Sequence, residues 1–206
     1  MLSPLQELIL RLVAPLPEAQ GFALAGGGAI ITRGIVDRTT NDLDLFGAAP
    51  PDVQRLAFAL SAALRSEGMV VTPIIEQPAF VRLAVERGTD STTIDLGTDA
   101  RVHPAEETDR GQVLSLEELA ADKLLAVFGR AQARDFIDAM ALAGEVGGLD
   151  EMCRLAAEKD GGFSKAVLIE MIGSFDRLPP AEFELSEHGY AELREAVQGW
   201  LAHLRN

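Results

Sequence analysis

The sequence predicts an α+β chain: a mixed β-sheet with helices packed on one side, followed by a C-terminal helical bundle. Three observations predict it. Up to about residue 100, short strand-like runs alternate with stretches of helical spacing, and several strands then follow one another. From residue 111 onward the apolar pattern is helical throughout. The chain has 206 residues, 48% hydrophobic and 24% charged, which is enough apolar matter to bury a core. Two regions follow, 1–110 with the sheet and 111–206 with the bundle.

Pro4 to Val13 places Leu5, Leu8, Ile9 and Leu12 at helical spacing, and Pro15 and Pro17 end that helix. Phe22 to Ala25 reads as a short buried strand. Gly26-Gly27-Gly28 then turns the chain, and Ala29 to Thr32 can start a helix. Residues 42–46 form a second strand. Pro50-Pro51 breaks the chain, and Asp52 can cap a helix with Val53, Leu56, Leu60, Ala63 and Leu64 on its apolar side, stopped by Gly68. Met69 to Ile75 and Phe80 to Glu86 read as strands. Gly88 to Ser91 is a hairpin turn leading into a strand over Thr92 to Leu96.

Ser115-Leu116-Glu117-Glu118 matches a capping box, opening a helix with Leu116, Leu119, Ala120, Leu124 and Val127 on one face. A second helix runs from Ala131 to Glu145 with Phe136, Ile137, Met140 and Ala141 inward, closed by Gly144, Gly147 and Gly148. Asp150 to Glu158, Ser164 to Ile172 and Gly189 to Leu204 make three more, the last two separated by Pro179-Pro180. Leu193, Val197, Trp200 and Leu204 read as core or partner contacts.

The chemistry concentrates in Gly26-Gly27-Gly28 and in Asp42-Leu43-Asp44-Leu45. Glycines let a backbone approach a ligand closely, and N–H groups opening a helix suit an anion. Residues two apart on a strand share a face, so Leu43 and Leu45 go to the core and Asp42 and Asp44 stand together opposite. Two adjacent like charges repel, so a hard divalent cation such as Mg²⁺ fits between them. The plain alternatives are an ordinary strand–helix turn and two solvated carboxylates. No Gly-x-Gly-x-x-Gly and no Gly-Lys-Ser or Gly-Lys-Thr occurs, which excludes the dinucleotide and Walker patterns.

The glycine turn, a short helix, then Arg38-Thr39-Thr40-Asn41-Asp42-Leu43-Asp44-Leu45 resembles the nucleotidyltransferase superfamily with the polymerase-β-type fold, and more narrowly the AbiEii-type toxins of type IV toxin–antitoxin pairs. Asp122-Lys123-Leu124-Leu125-Ala126 with Arg130, Arg134, Asp135 and Asp138 resembles that family's later motifs. The resemblance covers about residues 20–142. It implies Mg²⁺-dependent transfer of a nucleoside monophosphate from a nucleoside triphosphate, with Asp42, Asp44 and Asp95 at a two-metal site and Asp95 receiving the attacking hydroxyl's proton. Gly26, Gly27, Gly28, Arg38, Lys123, Arg134 and Asp135 would serve the nucleotide and its phosphates. Asp135 and Asp138 would orient Lys123 and the arginines at the cleft, with Asp135 the better contact for Lys123 or the substrate, and Arg38 would steady a phosphate or orient Asp42. One departure stands out: many superfamily members carry Gly-Ser at the turn, where here Gly28 follows Gly27.

Lys123 falls inside an apolar stripe, where a lysine either snorkels to solvent or, as the resemblance implies, reaches into the cleft to meet the triphosphate. Arg134 and Asp138 are spaced for a surface ion pair. By resemblance the acceptor is a tRNA 3′ end or a protein hydroxyl, and a cognate antitoxin is an expected partner. Two alternatives stay open: transfer to a small molecule of aminoglycoside type, and a non-catalytic nucleotide-binding module of the same fold. The net charge of −14 argues against an extended nucleic-acid-binding surface. Cys153 stands alone, which suits a reducing cytoplasm and a buried apolar role. No segment reads as a signal peptide or a membrane span, and His103, His188 and His203 lack metal-ligand spacing.

Overall fold

The computed structural model describes residues 1–47 and 53–206, so the expected break at Pro50-Pro51 and the cap at Asp52 lie outside the described residues. The chain forms two compact units, Met1–Ser115 and Leu116–Asn206.

The first unit is built on a seven-stranded mixed sheet of order β3-β4-β5-β2-β1-β7-β6. Helix α1 spans Pro4–Val13, and Ser3 with Gln6 closes a capping box at its start. Strand β1 is Phe22–Ala25, helix α2 Gly26–Thr32 and strand β2 Asp42–Gly47. Helix α3 runs Val53–Ser66, and β3, β4 and β5 are Val70–Gln77, Phe80–Arg87 and Asp90–Thr98. The β4–β5 hairpin is tighter than the sequence suggests. Arg87 pairs with Asp90 across a two-residue loop whose first residue, Gly88, has φ +63°.

Two short strands escape the sequence pattern. They are β6, Glu106–Thr108, and β7, Gly111–Val113. Strand β7 runs parallel to β1, with Val113 opposite Leu24, so the segment expected to open the helical region completes the sheet instead. Three residues carry too little periodicity to read; the β6–β7 hairpin and the parallel pairing of β7 with β1 make them strands.

The period of two decides the two faces. Leu43 and Leu45, Val81, Leu83 and Val85, and Ile94 and Leu96 are all buried. They face the side on which α1 and α3 pack against the sheet. Burying each such side chain contributes about 1.5–3 kcal/mol, so a slip of one residue, which would send the aspartates inward, is strongly disfavoured. The opposite face carries Asp42, Asp44 and Phe46 on β2, Thr93, Asp95 and Gly97 on β5, and Phe80, Arg82 and Ala84 on β4. Gly97 has a local purpose there, because a Cβ would come within 3.0 Å of the Phe46 ring and 3.2 Å of the Phe80 ring.

The second unit is helical. It comprises α4 (Leu116–Gly129), α5 (Ala133–Val146), α6 (Leu149–Lys159), α7 (Lys165–Ile172) and α8 (Glu187–Arg205). Helix α5 starts two residues later than expected, because Ala131 turns the chain with φ +48° and Gln132 caps it. Gly147, left-handed at φ +93°, closes it, while Gly144 lies within the helix. Phe136, Phe175 and Phe183 are buried and pack edge-on or tilted at 4.9–5.1 Å between ring centroids. Trp200 is half-buried, as is Cys153, whose thiol pKa is pushed up by burial and by Asp150 against the opposing effect of Lys165.

Candidate active site

The sheet register gathers the acids. Asp44 on β2 stands directly beside Asp95 on β5, and Asp95 stands beside Arg82 on β4. Across β1 the same row ends at Ala25, the residue that caps α2. Asp42 lies one row along on the same face, opposite Thr93. Asp42 and Asp44 are half-exposed, and Asp95 is 5% exposed.

The three glycines are the first turn of α2 rather than a loop before it. Each has its own reason. Gly26 has φ +58°, and a Cβ there would sit 1.8 Å from Oδ2 of Asp44. Only glycine lets the backbone turn where that carboxylate lies. A Cβ on Gly27 would point at the Arg38 guanidinium, 3.0 Å away, and at Oγ1 of Thr40, 3.3 Å away. A Cβ on Gly28 would meet Leu24 at 3.2 Å and Leu43 at 3.5 Å. Position 28 therefore faces hydrocarbon, and the side-chain direction that enters the charged site belongs to position 27. A Ser at position 28, where many superfamily members carry one after the glycine, would here face Leu24 and Leu43.

Neighbouring side chains brace the acids. Thr40 Oγ1 donates to Oδ1 of Asp42 at 2.7 Å, and Arg38 donates to the carbonyl of Thr39 at 2.9 Å. Buried Gln6 donates from Nε2 to the carbonyl of Thr40 at 3.0 Å and contacts Oγ1 of Thr92 at 3.2 Å, fastening α1 to the start of β2. Asp95 receives a two-pronged ion pair from Arg82, Nε to Oδ1 at 2.6 Å and Nη2 to Oδ2 at 2.5 Å. The Arg82 guanidinium pKa is raised, chiefly by that hydrogen-bonded pair with Asp95, with smaller contributions from Asp42 and Asp44 and opposition from partial burial.

The donor set can be tested against the cation that the fold implies. Asp42 and Asp44 fit a hard divalent ion: two oxygen donors on one face, open to solvent, beside a turn that lacks Cβ atoms. Asp95 does not join them as it stands, since both of its oxygens are committed to Arg82. Among the described residues, no three or more His, Cys, Asp or Glu side chains are gathered for a metal.

The helical unit carries its own charged cluster. Lys123 Nζ lies 2.9 Å from Oδ2 of Asp138, and the Asp138 side chain is fully buried. The odd lysine of the apolar stripe thus meets an internal carboxylate, Asp138, one of the two acids expected to orient it, and not Asp135, the preferred contact. Asp135 is engaged elsewhere. It takes both prongs of Arg130 at 2.8 Å and accepts the Gln132 backbone N–H at 3.1 Å, closing the cap of α5. Arg134 pairs with Glu184 at 3.3 Å and not with Asp138. On α5 the buried polar positions are Asp135 and Asp138, beside Phe136, Ala139 and Leu142, while Ile137 and Met140 are only half-buried.

Sequence reasoning missed Arg82, Gln6 and Thr40. Only the strand register could have found Arg82, which reads as an ordinary outward residue of an alternating strand. A cavity of about 350 Å³ in the first unit, with Leu10, Phe22, Leu24, Arg101 and Arg110 among its lining, includes none of the predicted site residues. No helix among the described residues is long and apolar enough to cross a membrane.

Comparison with known proteins bears on this geometry. The family described as "Nucleotidyl transferase AbiEii toxin, Type IV TA system" matches residues 8–205. Among solved structures, JHP933 from Helicobacter pylori is similar with a TM-score of 0.59 and 18% identity, over 100% of this chain and 95% of that one. MenT4, a nucleotidyltransferase toxin from Mycobacterium tuberculosis H37Rv, is similar with a TM-score of 0.58 and 18% identity, over 98% of this chain and 82% of that one. At such identity the likeness establishes the shared fold. No curated protein matches the chain.

Proposed function

The chain belongs to the AbiEii family of nucleotidyltransferase toxins, and from that premise we propose that it moves a nucleoside monophosphate from a nucleoside triphosphate to an acceptor hydroxyl, releasing pyrophosphate. The observation that carries this reading is the pair Asp42 and Asp44 on one open face beside the glycine turn of α2. A bound Mg²⁺ would supply charge stabilisation to the attacking and leaving oxygens of an in-line displacement. Asp42 and Asp44 would hold it, with Thr40 fixing the orientation of Asp42. Arg38, lying over Gly27, would steady a phosphate, and the backbone N–H groups of Gly27 and Gly28 would add donors. Asp95, once released by Arg82, would take the proton of the attacking hydroxyl. Lys123, Arg134 and Asp135 are proposed to serve the nucleotide, with Asp138 holding the Lys123 ammonium inside the helical unit.

The acceptor is proposed to be a tRNA 3′ end or a protein hydroxyl, and the cellular counterpart a cognate antitoxin. The test begins with Asp42→Ala and Asp44→Ala. Each is expected to abolish incorporation of labelled nucleotide from Mg²⁺ and the four triphosphates into RNA and protein pools, with an unchanged circular dichroism spectrum. Native-rate transfer by either variant would overturn the proposal, and the pool that takes the label identifies the acceptor class.

A further inference from the structure

Asp95 is the most buried of the three aligned acids, and a buried carboxylate needs a positive partner. Arg82 supplies it from the adjacent strand, in register, through both oxygens. The two partners differ in freedom. The Asp95 side chain is 7% exposed, whereas that of Arg82 is 39% exposed and sits at the end of a long stem. In the pose that pairs with Asp95, the Arg82 guanidinium carbon also lies 5.8 Å from the Phe80 ring centroid on the same strand face. Arg82 thus sets a single positive charge beside Asp95, in the row that also holds Asp44.

We propose that Arg82 is a positioning residue that acts as the counter-ion of Asp95 in the metal-free enzyme and is exchanged for the divalent cation when the site loads. The inference rests on the reading of Asp42 and Asp44 as the cation site. The exchange keeps Asp95 compensated in both states and leaves it free as a ligand and proton acceptor only in the loaded one. It also sets cation affinity, because every binding event must displace a guanidinium from a two-pronged pair.

The test uses Mn²⁺ alone, titrated calorimetrically into the full-length, metal-free protein. Arg82→Met keeps the apolar stem and removes the charge. It is expected to bind Mn²⁺ about tenfold tighter than the native protein, the order of magnitude of a nearby unit charge at a partly solvated site. Arg82→Lys, which keeps the charge but loses the fork, is expected to fall between the two. The gain should vanish in the Asp95→Asn background, which a merely structural role for Arg82 would not produce. Equal or weaker Mn²⁺ binding by a folded Arg82→Met would overturn the proposal. Should that variant fail to fold, the native protein still decides: the Arg82 side-chain Nε–H resonance, identified by its loss in Arg82→Lys, should shift on saturation with Mg²⁺, and an unmoved resonance overturns the proposal. Mn²⁺ binding that is lost in Asp42→Asn but indifferent to Arg82 would sink this inference alone. No Mn²⁺ binding by the native protein or by Arg82→Met would sink it together with the reading it rests on.

Discussion

At the scale of single residues, the three glycines are not interchangeable, and substitution should separate them. Gly28→Ser would press a hydroxyl against Leu24 and Leu43 and is expected to lower stability by about 1–3 kcal/mol in a denaturant titration. Gly27→Ser meets the movable end of Arg38 and the Thr40 hydroxyl instead, and is expected to cost less stability than Gly28→Ser in the same titration. Gly26→Ala collides with the Asp44 carboxylate and should lose transfer activity even where the protein still folds. Cys153 gives a pH prediction with a definite sign. Its thiol pKa lies above the ordinary 9.0, so the reactive thiolate is scarce at neutral pH. Labelling of the folded protein by a thiol reagent at pH 7.5 should be slower than that of the urea-unfolded chain, and the gap should persist as pH rises to 9. Asp42 and Asp44 could be read from the sequence because a period of two is local information. The different directions of Gly27 and Gly28 could not, because they depend on how α2 leans on Leu43.

At the scale of elements, α5 is held at its start by Asp135, which both caps the helix and receives Arg130. Asp135→Asn removes one charge-assisted pair and weakens the cap, so thermal unfolding should shift by the equivalent of about 2–4 kcal/mol. If Asp135→Asn instead leaves stability untouched and raises only KM for nucleotide, its assignment to the nucleotide outweighs its structural role. Helices α4 and α6 are tied by buried Lys159, which reaches Glu118 at 2.8 Å and also pairs with Asp122. The positions of most helices were legible, since α1 begins and ends where its apolar spacing and prolines place it. The helix boundary at Ala131 was not, because an alanine with positive φ carries no mark in the sequence. Strand β7 was hidden because its parallel partner β1 lies far back along the chain, and Arg82 because its role depends on the register of the β4–β5 hairpin.

At the scale of the whole molecule, the net charge of −14 makes a further prediction. Self-repulsion falls as salt screens it, so the melting temperature should rise between 20 and 200 mM NaCl. Over the same range, RNA without nucleoside triphosphate should show little binding and no steep salt dependence. The architecture of a mixed sheet followed by helices was legible from composition and periodicity. The order of its strands was not, because β5 enters beside β2 only through contacts about fifty residues apart. That distance along the chain has a consequence for birth on the ribosome. A growing polypeptide released before Asp90 emerges would display Asp42 and Asp44 with no strand alongside them, and β1 waits longer still for Val113. A nascent chain therefore lacks the aligned row of acids until β5 has followed β2 out of the ribosome.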